Sequence, residues 1–156
     1  VSPKVGAALT DRTGQHGMLL LLVEATEQTG PVVIWRKELR PDSGGDGAYR
    51  GGLGQVIEIE PLPGHEFDFS AMFDRVNHAA KGRDGGGPGA AGVVALDDGT
   101  VLKPKGWQHV PAGRRLVLHL PGGGGFGDPA RRGAKARAED HRKGYVTRAS
   151  KSWSEQ

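Results

Sequence analysis

The sequence contains no cysteine among its 156 residues, and aromatic side chains make up only 6% of it. Without cysteine, neither a disulfide framework nor a zinc site with thiolate ligands can stabilise a small fold. Hydrophobic residues of all kinds reach 36%, so the chain has room for one domain with a small core. We therefore expect the fold to gain further stability by packing against other protein.

Long hydrophobic runs are also absent. The longest, residues 18–23, is far shorter than the roughly 20 apolar residues that a membrane-spanning helix needs. The residues that follow Val1 lack the basic, apolar and small-residue order of a signal peptide. These features predict a soluble, cytoplasmic protein that has no membrane partner.

The formal net charge of +3 comes from one end of the chain. Between residues 131 and 151, lysine and arginine outnumber Glu139 and Asp140, whereas the remainder of the sequence is net acidic. Such a basic segment can bind nucleic acid phosphates, but it is more often a solvated helix face or a docking site for an acidic partner. Nucleic acid is therefore the less favoured partner.

Period-two alternation and short apolar runs dominate the chain up to residue 120, and they predict a mainly β fold. We expect a twisted sheet or sandwich of about six to eight strands, joined by Gly-rich loops. The Asp98-Gly99 turn predicts a hairpin between its two flanking strands. The predicted strands are residues 19–24, 32–39, 55–60, a segment from Phe67 onward, 93–96, 101–105 and 115–120.

After residue 128 the composition changes to Ala, Arg, Lys and Glu, which predicts one or two short C-terminal helices. Asp128 suits the N-cap, Pro129 the first helical position and Gly144 the helix end, and a second helix is predicted from Thr147. Neither helix has a broad apolar stripe, so we expect partial disorder and ordering mainly against other protein. The sequence thus predicts a β-rich region over residues 1–128 and a basic helical tail over residues 129–156.

The 27 glycines and 10 prolines are clustered. Three Gly-rich segments stand out: loop 1 is residues 40–54, loop 2 is residues 81–92 and loop 3 is residues 121–129. Such segments let backbone approach a ligand or another backbone closely, or they only permit sharp turns. Replacing Gly44 or Gly51 by Val should damage the fold if either residue has a positive φ.

Loop 1 also contains the best candidate catalytic residues, Arg40, Asp42 and Arg50. An aspartate can activate water and arginines can bind a carboxylate, but Asp42 can equally cap the turn and pair with an arginine. The catalytic residues therefore stay open. The substrate-binding or loop-forming candidates share a place in loops 1 and 3: Ser43, Gly44, Gly45, Gly51, Gly52, Gly54, Gly123, Gly124 and Gly125.

No known site motif adds further residues to these catalytic and substrate-binding candidates. No Gly-Lys-Ser or Gly-Lys-Thr follows any of the loops, and Ser43 lacks the pattern of a nucleophile elbow. The six histidines are scattered and form no motif with metal-ligand spacing. We therefore expect no metal site and no bound cofactor in this chain by itself.

Residues 38–54, reading ELRPDSGGDGAYRGGLG, closely resemble the signature of the hydantoinase B/oxoprolinase family. Further family motifs follow in the same order: FDR at residues 73–75, GGGPGAAG at 85–92, LPGGGGFGDPARR at 120–132 and a terminal ending at 140–149. Several ordered matches are far more specific than one Gly-rich loop. The resemblance spans roughly residues 20–150, whereas residues 1–22 match poorly.

The resemblance implies the C-terminal portion of a subunit that is several times longer. It implies a hydrolase that opens cyclic amides, such as 5-oxoproline in glutathione metabolism or a hydantoin. The implied partners are the N-terminal remainder of the subunit and a hydantoinase A-type ATP-binding subunit, with ATP and a divalent metal in the complete enzyme. The alternatives are a scaffold for subunit interaction, or part of an acetone-carboxylase-type complex.

Overall fold

The computed structural model describes Val23, Glu27 and residues 30–147. This part of the chain is mainly β, which confirms the predicted fold class, and it ends in one short α-helix. No helix among these residues is long and apolar enough to cross a membrane. The elements are β1 (Val32–Leu39), β2 (Gln55–Pro61), β3 (Phe67–Met72), β4 (Val93–Leu96), β5 (Lys105–Val110), β6 (Leu116–His119), a 3-10 turn (Pro129–Arg131) and α1 (Ala134–Arg142).

The strands form two antiparallel sheets. Four strands are arranged in the order β1-β2-β6-β4, and β3 pairs with β5 in a separate two-stranded sheet. In the larger sheet, Leu118 lies between Ile57 and Val94. Because side chains alternate between the two faces of a strand, this register places apolar residues of three strands on the same face.

The core lies between the two sheets. Val94, Leu96, Leu116 and Leu118 of the larger sheet form one buried cluster with Val110 of β5, which is fully buried. Half-buried side chains of β2 and β3 pack against this cluster. The two sheets therefore pack face to face, and each fully buried Leu or Val contributes about 2 kcal/mol of transfer free energy.

One predicted hairpin is shorter than expected: the Leu102 amide donates to the Val94 carbonyl at 2.8 Å, but residues 101–105 do not form a strand. The turn forms as expected, since Gly99 has a φ of 87° and the Asp98 carboxylate accepts a hydrogen bond from the Thr100 amide at 2.9 Å. However, Val101 makes only an isolated bridge to β4, and the next strand begins at Lys105 and pairs with β3. Pro104 lacks an N–H group for a ladder, which explains why strand pairing does not continue through it.

The predicted start and end of the helical tail have clear structural causes. The Asp128 carboxylate accepts a hydrogen bond from the Ala130 amide at 2.8 Å, but it caps the 3-10 turn, and α1 begins only after Gly133. At the other end Gly144 has a φ of 69°, and the Tyr145 amide donates to the Asp140 carbonyl at 2.8 Å. This is a Schellman ending, which confirms Gly144 as the stop.

Two expectations fall on residues that are not described. The strand predicted over residues 19–24 lies outside the described residues except for Val23, whose backbone is helical. The second helix predicted from Thr147 lies outside them as well, apart from Thr147 itself.

Loops 1, 2 and 3 pack on one another through their backbones, and together they form what we call the glycine bundle. The Gly45 amide of loop 1 donates to the Gly123 carbonyl of loop 3 at 2.9 Å. The Gly87 amide of loop 2 donates to the Asp46 carbonyl of loop 1 at 2.7 Å, and the Gly125 amide of loop 3 donates to Gly87 at 2.9 Å. Each loop is thus hydrogen-bonded to both of the others.

Close approach of backbone explains why these loops are rich in glycine. A Cβ atom built on Gly51 would overlap the carbonyl oxygen of Gly123, and one on Gly44 would overlap the carbonyl of Gly51. Neither Gly44 nor Gly51 has a positive φ. Damage by a larger side chain was expected only for a positive φ, so that condition is not met. Crowding by neighbouring backbone atoms, and not φ, excludes a side chain here, as at the axis of the collagen triple helix.

We predict that Gly51→Ala lowers the free energy of unfolding by about 3 kcal/mol, because its new methyl group must displace loop 3 backbone. Gly52→Ala is the matched control, since a Cβ at Gly52 has no atom within 4 Å. That control should change stability by no more than about 0.5 kcal/mol. Urea unfolding followed by circular dichroism measures both, and equal effects of the two substitutions would contradict the crowding argument.

Candidate functional site

Arg40 joins the larger sheet to the glycine bundle. It follows the end of β1, and its amide donates to the Gly54 carbonyl at 2.8 Å. Its half-buried guanidinium donates to the carbonyl of Ala91 at 2.8 Å and to that of Leu120 at 3.3 Å. Arg40 therefore supplies hydrogen-bond donors to backbone at the ends of loop 2 and β6.

Asp42 contacts the tail of the chain. It has a φ of 58°, and its amide donates to the Tyr145 carbonyl at 2.9 Å. Its carboxylate accepts hydrogen bonds from both the amide and the hydroxyl of Thr147. The sequence expectation that the tail orders mainly against other protein is thus corrected for its described residues, which contact loop 1 of the same chain.

Ser43 is fully buried where loop 1 turns. Its hydroxyl donates to the Arg40 carbonyl at 2.6 Å and accepts a hydrogen bond from the Gly54 amide at 2.9 Å. One hydroxyl thereby joins the two ends of loop 1. Both hydrogen bonds of Ser43 therefore stabilise the fold of loop 1.

Arg50 belongs to a small charged cluster that the sequence did not reveal. Its guanidinium contacts Asp140 of α1 at 3.0 Å and Asp46 of loop 1 at 2.8 Å. Arg132 also contacts Asp140 with two nitrogens, each at 2.9 Å, and donates to the Ala48 carbonyl at 3.2 Å. We call Arg50, Arg132, Asp46 and Asp140 the charge cluster. The cluster connects the tail to loop 1 twice, through the Arg50–Asp140 ion pair and through the hydrogen bond from Arg132 to Ala48.

Asp140 is the centre of this cluster, with only 7% of its surface exposed. Burial acts to raise the pKa of its carboxyl, but hydrogen bonds and positive charge from Arg132 and Arg50 outweigh burial and hold the pKa below its usual range. The carboxylate is therefore charged in the folded protein at neutral pH. Since α1 has no broad apolar stripe, this ion pairing is a main attachment of the helix to the loops.

The structure does not gather Arg40, Asp42 and Arg50 around one cavity. Each has partners within the chain: backbone carbonyls for Arg40, Thr147 for Asp42, and Asp46 with Asp140 for Arg50. The glycine candidates lie in the loops that build the glycine bundle. These residues thus form a structural framework that stabilises the loops.

A groove near this framework is lined by residues that the sequence did not single out. It has a volume of about 410 Å³ and is formed by Ala48, Tyr49, Phe126, Gly127, Arg131 and Gly133. The Tyr49 and Phe126 rings are tilted at 45° with centroids 6.2 Å apart. In the sequence, the one signal for this groove is an aromatic residue in each of two Gly-rich loops, and only the fold brings these loops together.

His119 lies at the end of β6, between Val56 of β2 and Val93 of β4. Burial lowers the pKa of its imidazole below the ordinary value of 6.5, and the positive charges of Arg40 and Arg36 lower it further, against a weaker opposite effect of Glu58. The neutral imidazole is therefore the form that the fold favours.

The described part of the chain shows no cluster of metal ligands. Among Val23, Glu27 and residues 30–147, no group of three or more His, Asp or Glu side chains is placed to hold a metal ion. The charge cluster is a pair of carboxylates already neutralised by two arginines. These residues do not fit a divalent cation.

Comparison with known proteins gives a consistent picture. The sequence model of the family described as hydantoinase B/oxoprolinase matches residues 6–129. The match therefore also covers residues 6–22, which lie before the first of the family motifs. The chain is 39% identical over 111 residues to 5-oxoprolinase 1 of Arabidopsis thaliana, in an alignment that covers 67% of this chain and 8% of that protein.

The beta subunit of the caprolactamase of Pseudomonas jessenii is 35% identical over 144 residues, which cover 80% of this chain and 23% of that protein. The crystal structure of the ATP-dependent caprolactamase from the same organism superposes with a TM-score of 0.67 at 29% identity, over 81% of this chain and 23% of that one. An acetone carboxylase structure has a TM-score of 0.64 at 22% identity, which shows a shared fold alone. The chain thus spans less than a quarter of the length of these relatives.

We predict that Asp140→Asn destabilises the protein by about 2 kcal/mol, because it leaves Arg132 half-buried without its counter-charge and leaves Arg50 with Asp46 alone. Glu139→Gln is the matched control, since Glu139 pairs with Arg142 and Lys143 at the surface. The native carboxylate's contribution is fully present above the ordinary aspartate value of 3.8 and is lost as pH falls through its lower folded pKa. Urea midpoints at neutral and acid pH test this, and equal losses for both variants would refute it.

The lowered pKa of His119 gives a second pH-dependent prediction. Because the unfolded chain binds a proton near pH 6.5 and the folded chain binds it only at lower pH, stability should fall as pH drops below this value. In His119→Gln the decline of the urea midpoint between neutral and mildly acid pH should be smaller. An identical slope in both proteins would exclude His119 as its source.

Proposed function

Because the chain belongs to the hydantoinase B/oxoprolinase family, we propose that it is a rigid structural part of an enzyme that opens a cyclic amide by hydrolysis. The substrate class is 5-oxoproline or a hydantoin, by analogy with relatives named as a 5-oxoprolinase and a putative D-/L-hydantoinase. Since this chain spans less than a quarter of each of these relatives, the activity is that of the whole enzyme.

One observation carries the proposal: the polar side chains most suited to chemistry are engaged within the chain. Arg40 binds backbone carbonyls, Ser43 closes its loop, and Arg50 pairs with Asp46 and Asp140. A group that already has such partners cannot bind a substrate carboxylate without first losing them. The chain therefore contributes a wall of the site, and the catalytic groups belong to the rest of the enzyme.

ATP and a divalent metal, in this proposal, bind to the N-terminal remainder of the subunit or to a hydantoinase A-type subunit. The described residues lack a fitting metal cluster, and the Gly-rich loops lack the Gly-Lys-Ser or Gly-Lys-Thr sequence of a phosphate-binding loop. We place the complete enzyme in the cytoplasm. The caprolactamase relative is, by its name, one subunit of a larger assembly.

The second candidate function is a non-catalytic module for subunit interaction. Its support is the large exposed apolar side chains, such as Tyr49, Met72 and Trp107, each more than two thirds exposed. The two candidates differ in their effect on turnover. A structural part of the hydrolase is required for turnover, whereas an interaction module is not. An acetone-carboxylase-type role has support from the shared fold alone.

We predict that the isolated chain does not open 5-oxoproline or hydantoin, with or without ATP and Mg²⁺. Ring opening and phosphate release should appear only when the chain is combined with the N-terminal remainder and the A-type subunit. Omitting the chain from that mixture is the control, and it should abolish turnover. Turnover by the chain alone would refute the structural role, and full turnover without it would favour the interaction module.

A further inference from the structure

The groove beside loop 3 combines two exposed aromatic rings with one basic residue. Tyr49 has 71% and Phe126 has 48% of its surface exposed. Aromatic side chains that lie together at the surface, outside the core, are typical of protein-binding sites. The rings belong to loops 1 and 3, so the fold and not the sequence order brings them together.

The backbone holds these two rings in place. Tyr49 and Phe126 form an isolated antiparallel bridge, with the Tyr49 amide donating to Phe126 at 3.0 Å and the Phe126 amide donating to Tyr49 at 2.9 Å. The bridge is part of the glycine bundle, whose backbone is hydrogen-bonded on several sides. A binding segment therefore meets backbone that is already hydrogen-bonded at both residues, which reduces the entropic cost of association.

The charge of the groove is positive. Among the described residues that line it, Arg131 is the only ionisable one apart from the Tyr49 phenol, and its guanidinium has no hydrogen-bond or ion-pair partner within the described ranges. The neighbouring Arg132, in contrast, is neutralised by Asp140. An exposed guanidinium that no described residue neutralises, placed beside two rings, complements a carboxylate that is carried next to an apolar side chain.

We propose that this groove docks an acidic segment of a partner polypeptide, with an apolar or aromatic side chain against Tyr49 and Phe126 and a carboxylate on Arg131. Complementary charge and the paired rings favour such a peptide over nucleic acid, since a single arginine among the described lining residues cannot match a row of phosphates. The proposal goes beyond the ring-opening function and does not depend on it.

The test uses the full chain, labelled with ¹⁵N, and a short capped peptide of Asp, Phe and Glu as the probe. A twin peptide of Asn, Phe and Gln is the uncharged control. The acidic peptide should shift the amide resonances of Gly127, Arg131 and Gly133 in a saturable way, at least about fivefold more tightly than its twin. Added salt should weaken this preference.

Matched variants identify the groove as the source of binding. Arg131→Ala should weaken binding of the acidic peptide about fivefold and remove its advantage over the twin. Arg142→Ala, on the same tail but paired with Glu139, should leave binding unchanged. Tyr49→Ala should weaken both peptides, whereas Trp107→Ala, at a 76% exposed residue of β5, should weaken neither. All four positions are exposed, so the fold tolerates their truncation.

Four outcomes would overturn the proposal. Equal binding of the two peptides would remove the role of charge, and equal loss in Arg131→Ala and Arg142→Ala would indicate diffuse attraction to the tail. Shifts of the same resonances by acetate or phosphate alone, as large as those from the peptide, would make the groove a small-anion site. Concentration-dependent dimerisation that is lost in Tyr49→Ala would assign the groove to a second copy of the chain.

Discussion

The close contact of backbone with backbone in the glycine bundle is the constraint on which the rest of the structure depends. Loops 1, 2 and 3 each donate hydrogen bonds to another loop of the bundle, so they behave as a packed element and not as free connections. Side chains cannot enter the contacts at Gly44 and Gly51. The bundle therefore adds hydrogen bonds and close packing to the small hydrophobic core between the sheets, which agrees with the low apolar content of the chain.

Charge then attaches the tail to this bundle. The α1 helix has no apolar stripe, but Asp140 contacts Arg50 of loop 1 and Arg132. The Schellman turn at Gly144 returns the chain to Asp42, whose carboxylate accepts hydrogen bonds from Thr147. Asp140 pairs with Arg50, which is distant in sequence. This ion pair attaches the helix to the bundle, as an apolar stripe attaches most helices to their core.

Local features of this fold could be predicted from the sequence. Period-two alternation predicted β2, and Gly144 predicted the helix end, because each depends on residues near in sequence. The pairing of β5 with β3 was not predictable, since strand partners are set by packing of whole sheets. The resemblance to the family came from ordered motifs and was confirmed over residues 6–129. The charge cluster and the groove were missed because their residues come from loop 1, loop 3 and the tail, which only the fold brings together.

Native-state hydrogen exchange of the chain tests the central claim most directly. If the bundle is a packed element, the amides of Gly45, Gly87 and Gly125 exchange as slowly as those of β2 and β6, within about tenfold. They should also lose protection together in Gly51→Ala, while Gly52→Ala leaves them unchanged. Rapid exchange of these three amides, beside slow exchange in the strands, would contradict the account, because it would show three separate loops around a conventional core.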